Sequence, residues 1–150
     1  DPRETISEFR AARFTYNQSF SQSGYAAAYT HCSAEGFWFK DRSQSHGHRN
    51  SAQIVADGRA DIAALDAVSW RLIQRYDPFA SHLRVLERTT PTPGLPYIAA
   101  AGANRIATFA AISQAIARLM AEDVETLGIR GLVDIPSTAY LAVRSPPIGA

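Results

Sequence analysis

Cysteine and lysine each occur once, at Cys32 and Lys40. A single thiol closes no intrachain disulfide and builds no cysteine zinc cluster, so cysteine usage gives no sign of the compartment. No stretch approaches the roughly 18 uninterrupted apolar residues of a membrane span. The first residues lack the basic and apolar regions of a signal peptide, and the chain starts at Asp1, so a processed protein or a piece of a larger one is expected. An excess of one charge sign is also missing: 15 basic and 14 acidic side chains give a net charge of +1. They are dispersed, which argues against nucleic acid and against a membrane surface as partners. Neither a G-x-x-x-x-G-K-[ST] phosphate loop nor a G-x-S-x-G nucleophile elbow occurs, so no specific signal for catalysis is present and no cofactor is expected.

What is present is an ordinary globular profile, 46% hydrophobic and 19% charged over 150 residues. Thr5–Ala12 reads as a short helix and "RFTYN", Arg13–Asn17, as a strand. The alanine-rich run after Gly24 is helical by propensity, with Gly36 as its stop. "FWFKD", Phe37–Asp41, reads as a strand, "RSQSHGHRNS" as a loop and "NSAQIVAD", Asn50–Asp57, as a helix closed by a left-handed Gly58. In "ADIAALDAVSW" the apolar run does not alternate, as in a strand buried on both faces of a parallel sheet, and a helix signal follows at once. Strand and helix alternate, so the expected fold class is α/β with a mainly parallel sheet flanked by helices. "LRVLERT", Leu83–Thr89, and "YIAAAG" read as further strands around the proline-rich "TPTPGLP". Thr108–Met120 reads as an amphipathic helix with Phe109, Ile112, Ile116 and Leu119 on one stripe.

Ligands of parallel α/β sheets bind where strands end and helices begin. Three loops of this chain answer that description. The first is "NQSFSQSG": the N–H groups of Ser23, Gly24 and Tyr25 with the hydroxyls of Ser21 and Ser23 suit a phosphate-like anion at a helix N-terminus, or Ser23 simply caps the helix. The second is "SHGHRNS", where His48 and Ser51 can donate to the same anion; His46 and His48 without a third ligand make an incomplete metal site, and no metal is expected. The third is Asp66, which either accepts from a ligand amine or hydroxyl or caps the helix that follows. Asp57 and Asp61 around Gly58 and Arg59 read as a turn with a solvent ion pair.

Taken in order, "YNQSFSQSGY", "SHGHRNSAQIVADGRADIAALDAVSW" and "RVLERTTPTPGLPYI" resemble the phosphate/phosphonate-type substrate-binding proteins of ABC transporters, which have the type 2 periplasmic-binding fold. The resemblance covers about Arg13 to Met120. It implies that Ser21, Gln22, Ser23 and Gly24, with Tyr25 beside them, cradle anion oxygens, that His48 lies near the anion, and that Asp66 reaches the cleft. Where relatives often carry a glycine before the G-H pair this chain has His46, so a different loop shape is expected. The implied organisation is a second lobe over residues 13–85, a hinge-like crossing over 86–96, and over 97–150 a returning strand and helices that pack on a first lobe, most of which is missing. The implied function is non-catalytic capture of a small phosphorus oxyanion in the periplasm, with a permease as partner. Self-association through the uncovered apolar surface is a further expectation. A ligand-sensing regulatory module of the same fold, or a small-molecule enzyme, are the alternatives.

Overall fold

The structure, a computed structural model, describes residues 1–142. They divide into two compact units, Asp1–Thr92 and Pro93–Leu141. The expectation for the C-terminal segment extends over residues 143–150, which lie outside the described residues.

In the first unit Phe14–Tyr16 (β1) is the middle of a three-stranded parallel sheet in the order β2-β1-β3, with Arg42–Gln44 (β2) and Ile62–Ala63 (β3) at its sides. Phe14 is opposite Arg42 and Ile62, and Tyr16 is opposite Gln44. Helices Ala27–Ala34 (α1), His48–Ala56 (α2) and Ala67–Tyr76 (α3) follow the three strands in turn, which is the expected α/β lobe. A single turn at Ile6–Phe9 stands in for the short helix expected over Thr5–Ala12. Asp61 accepts the Arg13 N–H at 2.8 Å and pairs with its guanidinium at 2.9 Å, joining the start of β3 to the start of β1. Asp57 pairs with Arg59 across Gly58, whose φ of 72° is the left-handed closure expected of a glycine there.

The core lies under β1 and is largely aromatic. Phe14, Tyr25 and Phe39 are buried with Phe9, Ala12, Ala28 and Cys32, and Trp38 and Tyr16 pack against them. This packing corrects one strand. Of Phe37–Asp41 only the last residue takes part: the Asp41 carbonyl accepts from the Phe14 N–H at 3.0 Å, and the pairing runs through the polar Arg42–Gln44. A strand sends successive side chains to opposite faces. Trp38 and Phe39 instead both pack on the Phe14 ring, at 5.3 and 4.8 Å between centroids, so burial of both rings outweighs pairing.

Other strand expectations are corrected as well. Ile62–Ala63 is only half-buried, because β3 has a neighbour on one side alone. Leu83–Thr89 and "YIAAAG" form no strand, and Tyr97 and Ile98 are exposed. Propensity makes a segment extended, but only pairing makes it a strand, and neither segment pairs with the three described strands. Leu83–Thr89 is anchored by side chains instead: Glu87 accepts the Ile6 N–H at 2.7 Å and meets His31 at 2.9 Å.

In the second unit Arg105–Ala117 (α4) starts a turn earlier than expected, because Asn104 accepts the Ala107 N–H at 3.0 Å and caps it. Ile112, Ile116 and Leu119 are half-buried as the stripe predicts, whereas Phe109 is exposed. Ala121–Leu127 (α5) follows, and Arg105 pairs with Asp134 at 2.6 Å.

Candidate functional site

β1 ends in a polar loop that re-enters the fold at Ser21. The next turn, Gln22–Ala26, is wide: the Ser21 carbonyl accepts from both Tyr25, at 3.2 Å, and Ala26, at 3.0 Å, and the Gln22 carbonyl accepts from Ala27. Such i to i+5 turns are uncommon and concentrate at functional sites. Ser21, extended at φ −74° and ψ 127°, is the N-cap, and its hydroxyl accepts the Gly24 N–H at 3.1 Å. Gly24 and Tyr25 therefore direct their N–H groups inward to Ser21, contrary to the outward direction expected of them. The Gln22 and Ser23 N–H groups belong to the first turn, whose amides have no intrahelical acceptor and can donate to a ligand. The Tyr25 ring lies in the core against Tyr16 and Trp38. The Gln22 side chain donates to the Thr92 hydroxyl at 3.0 Å, tying the loop to the proline-rich segment.

The second loop brings His48 to the first. Ser45 shapes it: the hydroxyl donates to the Tyr16 carbonyl at 3.1 Å and meets the Ser51 hydroxyl at 2.6 Å. Ser51 is fully buried there, which removes it as a ligand donor. His46 has φ 67°, the left-handed region that glycine enters most easily, so the loop keeps a glycine-like backbone although histidine occupies the position. His46 turns its Nδ1 to the Gln44 amide at 3.0 Å, whereas His48 points its Nε2 at Ser23 Oγ, 3.3 Å away. The two histidines thus face different partners rather than a common metal position.

Three elements meet at the His48 imidazole. Its Nε2 is 3.3 Å from the Asn17 amide nitrogen as well as from Ser23 Oγ, and the Asp66 N–H lies 3.4 Å from Nδ1. Asp66, the N-cap of α3, accepts the Ser69 N–H at 2.7 Å through Oδ1, so it does cap the helix; its second carboxylate oxygen is left for another donor. Burial of the half-buried ring lowers the His48 pKa below its ordinary 6.5; the Asp66 charge and the Ala64 carbonyl oppose this without cancelling it. The imidazole is neutral at pH 7. Because the unfolded state then binds more protons than the folded one as pH falls below 6.5, folding stability declines with acidification and is fully present only above that value. His48→Gln is expected to remove this part of the acid loss: urea midpoints of the two proteins should differ between pH 7.5 and pH 5 by a smaller acid shift in the variant. Equal shifts would mean that folding leaves the protonation of His48 unchanged over this range.

Cys32, wholly buried, has its thiol pushed up to about 12, chiefly by burial and then by the Glu87 and Glu35 charges, so it is a core side chain and not a nucleophile.

A family model described as ABC transporter, phosphonate, periplasmic substrate-binding protein matches residues 1–139. The chain belongs to that family. Its members are solute-binding components of transporters rather than enzymes, and they act outside the cytoplasm with a small ligand and a permease. No curated protein matches the chain significantly. Among the described residues no helix is long and apolar enough to cross a membrane. Self-association gains no support from the family match. For a phosphonate-binding protein, the sequence motifs single out the serines and His48 readily. Asn17 ends the strand expected over Arg13–Asn17, and the one sequence signal that singles it out is a polar residue at the carboxyl end of β1.

Proposed function

We propose that this phosphonate-binding protein captures a small phosphorus oxyanion, a phosphonate, phosphite or phosphate, at the start of the Gln22–Ala26 turn, without catalysis, and presents it in the periplasm to an ABC permease. The observation that supports this best is the 3.3 Å approach of Ser23 Oγ to His48 Nε2, which joins the first-turn amides of a helix N-terminus to a neutral imidazole. In this reading the anion takes the Gln22 and Ser23 N–H groups and the Ser23 hydroxyl, with Ser21 and Gly24 shaping the turn, Tyr25 rooting it in the core, and Asp66 receiving a donor from the ligand's substituent. Residues 13–85 act as one lobe of a two-lobed binder and 86–96 as its hinge, with residues 97–150 returning to the other lobe.

Calorimetric titration with phosphate, phosphite, methylphosphonate and 2-aminoethylphosphonate tests this. One ligand should bind, and Ser23→Ala should weaken it about tenfold or more, the value of a charge-assisted hydrogen bond. Absence of binding by all four, or an unchanged affinity in the variant, would remove the reading. The same Ser23–His48 contact favours a hydrolase as a second reading, since it is a nucleophile beside a base. In that case the Asp66 carboxylate should accept from the imidazole, yet it is the Asp66 backbone N–H that lies 3.4 Å from His48 Nδ1. Turnover of p-nitrophenyl esters or phosphoesters, lost in Ser23→Ala, would establish it.

A further inference from the structure

We propose that Thr92 is a positioning residue of the anion site: its hydroxyl holds the Gln22 side chain, and residues 84–92 act as a strap that clasps the turn whose amides receive the anion. This rests on the anion-binding reading for its purpose, but the contact itself belongs to the free protein.

Residues 84–92 have no regular structure and, among the described residues, make no backbone–backbone hydrogen bond to the rest of the fold. Side chains hold them instead. Arg84 reaches the Arg3 carbonyl, Leu86 packs against the aromatic core, and Glu87 accepts the Ile6 N–H at 2.7 Å and meets His31 at 2.9 Å. Further on, the Thr92 hydroxyl accepts from the Gln22 side-chain amide at 3.0 Å, across 70 positions of sequence. Thr92 stands between Pro91 and Pro93. A proline fixes its own φ at about −65° and pushes the residue before it into the extended region, so Thr92 is offered on a backbone with little freedom left to lose. A hydrogen bond to a partner already ordered forms at a smaller cost in entropy. Gln22 is the first residue after the Ser21 cap, and its own N–H is one of the two proposed for the anion. Three side-chain contacts fix where that turn begins: the Ser21 cap on Gly24, Ser23 against His48, and Gln22 against Thr92. When the Ser23 hydroxyl turns to an anion, its contact with His48 is given up. Between Gln22 and Thr92 the long-range contact persists, because the Gln22 side chain is directed at Thr92 and its backbone N–H serves the ligand.

The test uses the whole 150-residue chain. In the ¹⁵N-labelled protein free of ligand, the Gln22 side-chain amide signals, assigned by their loss in Gln22→Ala, should move in Thr92→Val, which keeps the shape and removes the hydroxyl. They should return in Thr92→Ser. Under titration with phosphate, phosphite, methylphosphonate and 2-aminoethylphosphonate, Thr92→Val should lose about three- to tenfold in affinity for the one that binds, the value of one hydrogen bond, and Thr92→Ser should recover it. Gln22→Ala combined with Thr92→Val should bind no more weakly than the weaker of the two single variants. Urea midpoints should move no more than for other exposed substitutions, which separates a loss of affinity from a loss of fold. Gln22 signals unmoved in Thr92→Val, full affinity in that variant, or additive losses in the double variant would overturn the proposal. If none of the four oxyanions binds the unmodified protein, the anion reading fails instead, and the Gln22 signals still decide whether Thr92 holds the turn.

Discussion

Phe14→Ala is expected to cost about 3–5 kcal/mol of stability, the range for emptying a large aromatic site in a packed core. Phe14 is 2% exposed on the middle strand and meets three other rings, stacking on Phe39 at 4.8 Å and touching Trp38 at 5.3 Å and Tyr16 at 6.0 Å. The site cannot collapse easily, because Thr15 beside it is fully buried and holds the Ser43 carbonyl at 3.1 Å, and because both flanking strands pair with Phe14 itself. Against a total of roughly 5–15 kcal/mol for a domain, the loss is a large share. With a slope of about 1–3 kcal/mol per molar urea, the unfolding midpoint should fall by at least about 1 M. Phe14→Leu, which keeps much of the volume, should lose less than half as much. A midpoint shift in Phe14→Ala of under 0.3 M, taken at that slope as roughly below 1 kcal/mol, would mean that the aromatic cluster is not the core of the lobe.

Gly24→Ala should damage ligand binding more than any other single methyl group added to this protein. Two effects of opposite sign compete. Alanine is favoured over glycine in a helical turn by about 1 kcal/mol. Against that, the new Cβ would lie 1.9 Å from Asn17 Oδ1 and 2.8 Å from its Cγ, distances no packed carbon tolerates. Asn17 must rotate away, which withdraws its amide from His48, or the turn must shift and carry Ser23 with it; overpacking of this kind costs about 1–3 kcal/mol. The expected outcome is a protein changed little in stability, since the terms nearly cancel, but weakened in phosphonate affinity by tenfold or more, the equivalent of about 1.4 kcal/mol. Calorimetry and a urea titration on the same sample separate the two. Full affinity together with a gain in stability would show that Asn17 moves aside freely and has no part in the site.

Most of the secondary structure read from the sequence occurs in the fold, and the misses share one cause. The helices are local: Asp66 and Asn104 cap α3 and α4 by hydrogen bonds to residues three positions on, and Gly58 closes α2 at φ 72°. Strands depend on distant partners. Phe37–Phe39 has all the composition of a strand and is none, whereas Arg42–Gln44 has little of it and pairs with β1 in register. The same division runs through the site. Ser21, Ser23, His48 and Asp66 stand out because each begins or precedes a helix. Asn17 does not, for its role depends on where His48 and Gly24 lie, 31 and 7 residues further along.

By itself the amino-acid sequence determined the α/β class, the positions of the helix starts, the lack of membrane-spanning length and the order of motifs that places this chain among phosphonate-binding proteins, since all of these are fixed by residues close together in the chain. Only the tertiary structure decided which extended segments pair, that the Gly24 and Tyr25 amides turn inward while those of Gln22 and Ser23 do not, and that Asn17, Ser23 and Asp66 converge on one imidazole. Those contacts are made between residues far apart in sequence, where packing of the aromatic core and the single lone pair of a neutral ring select among arrangements that local preference leaves equal.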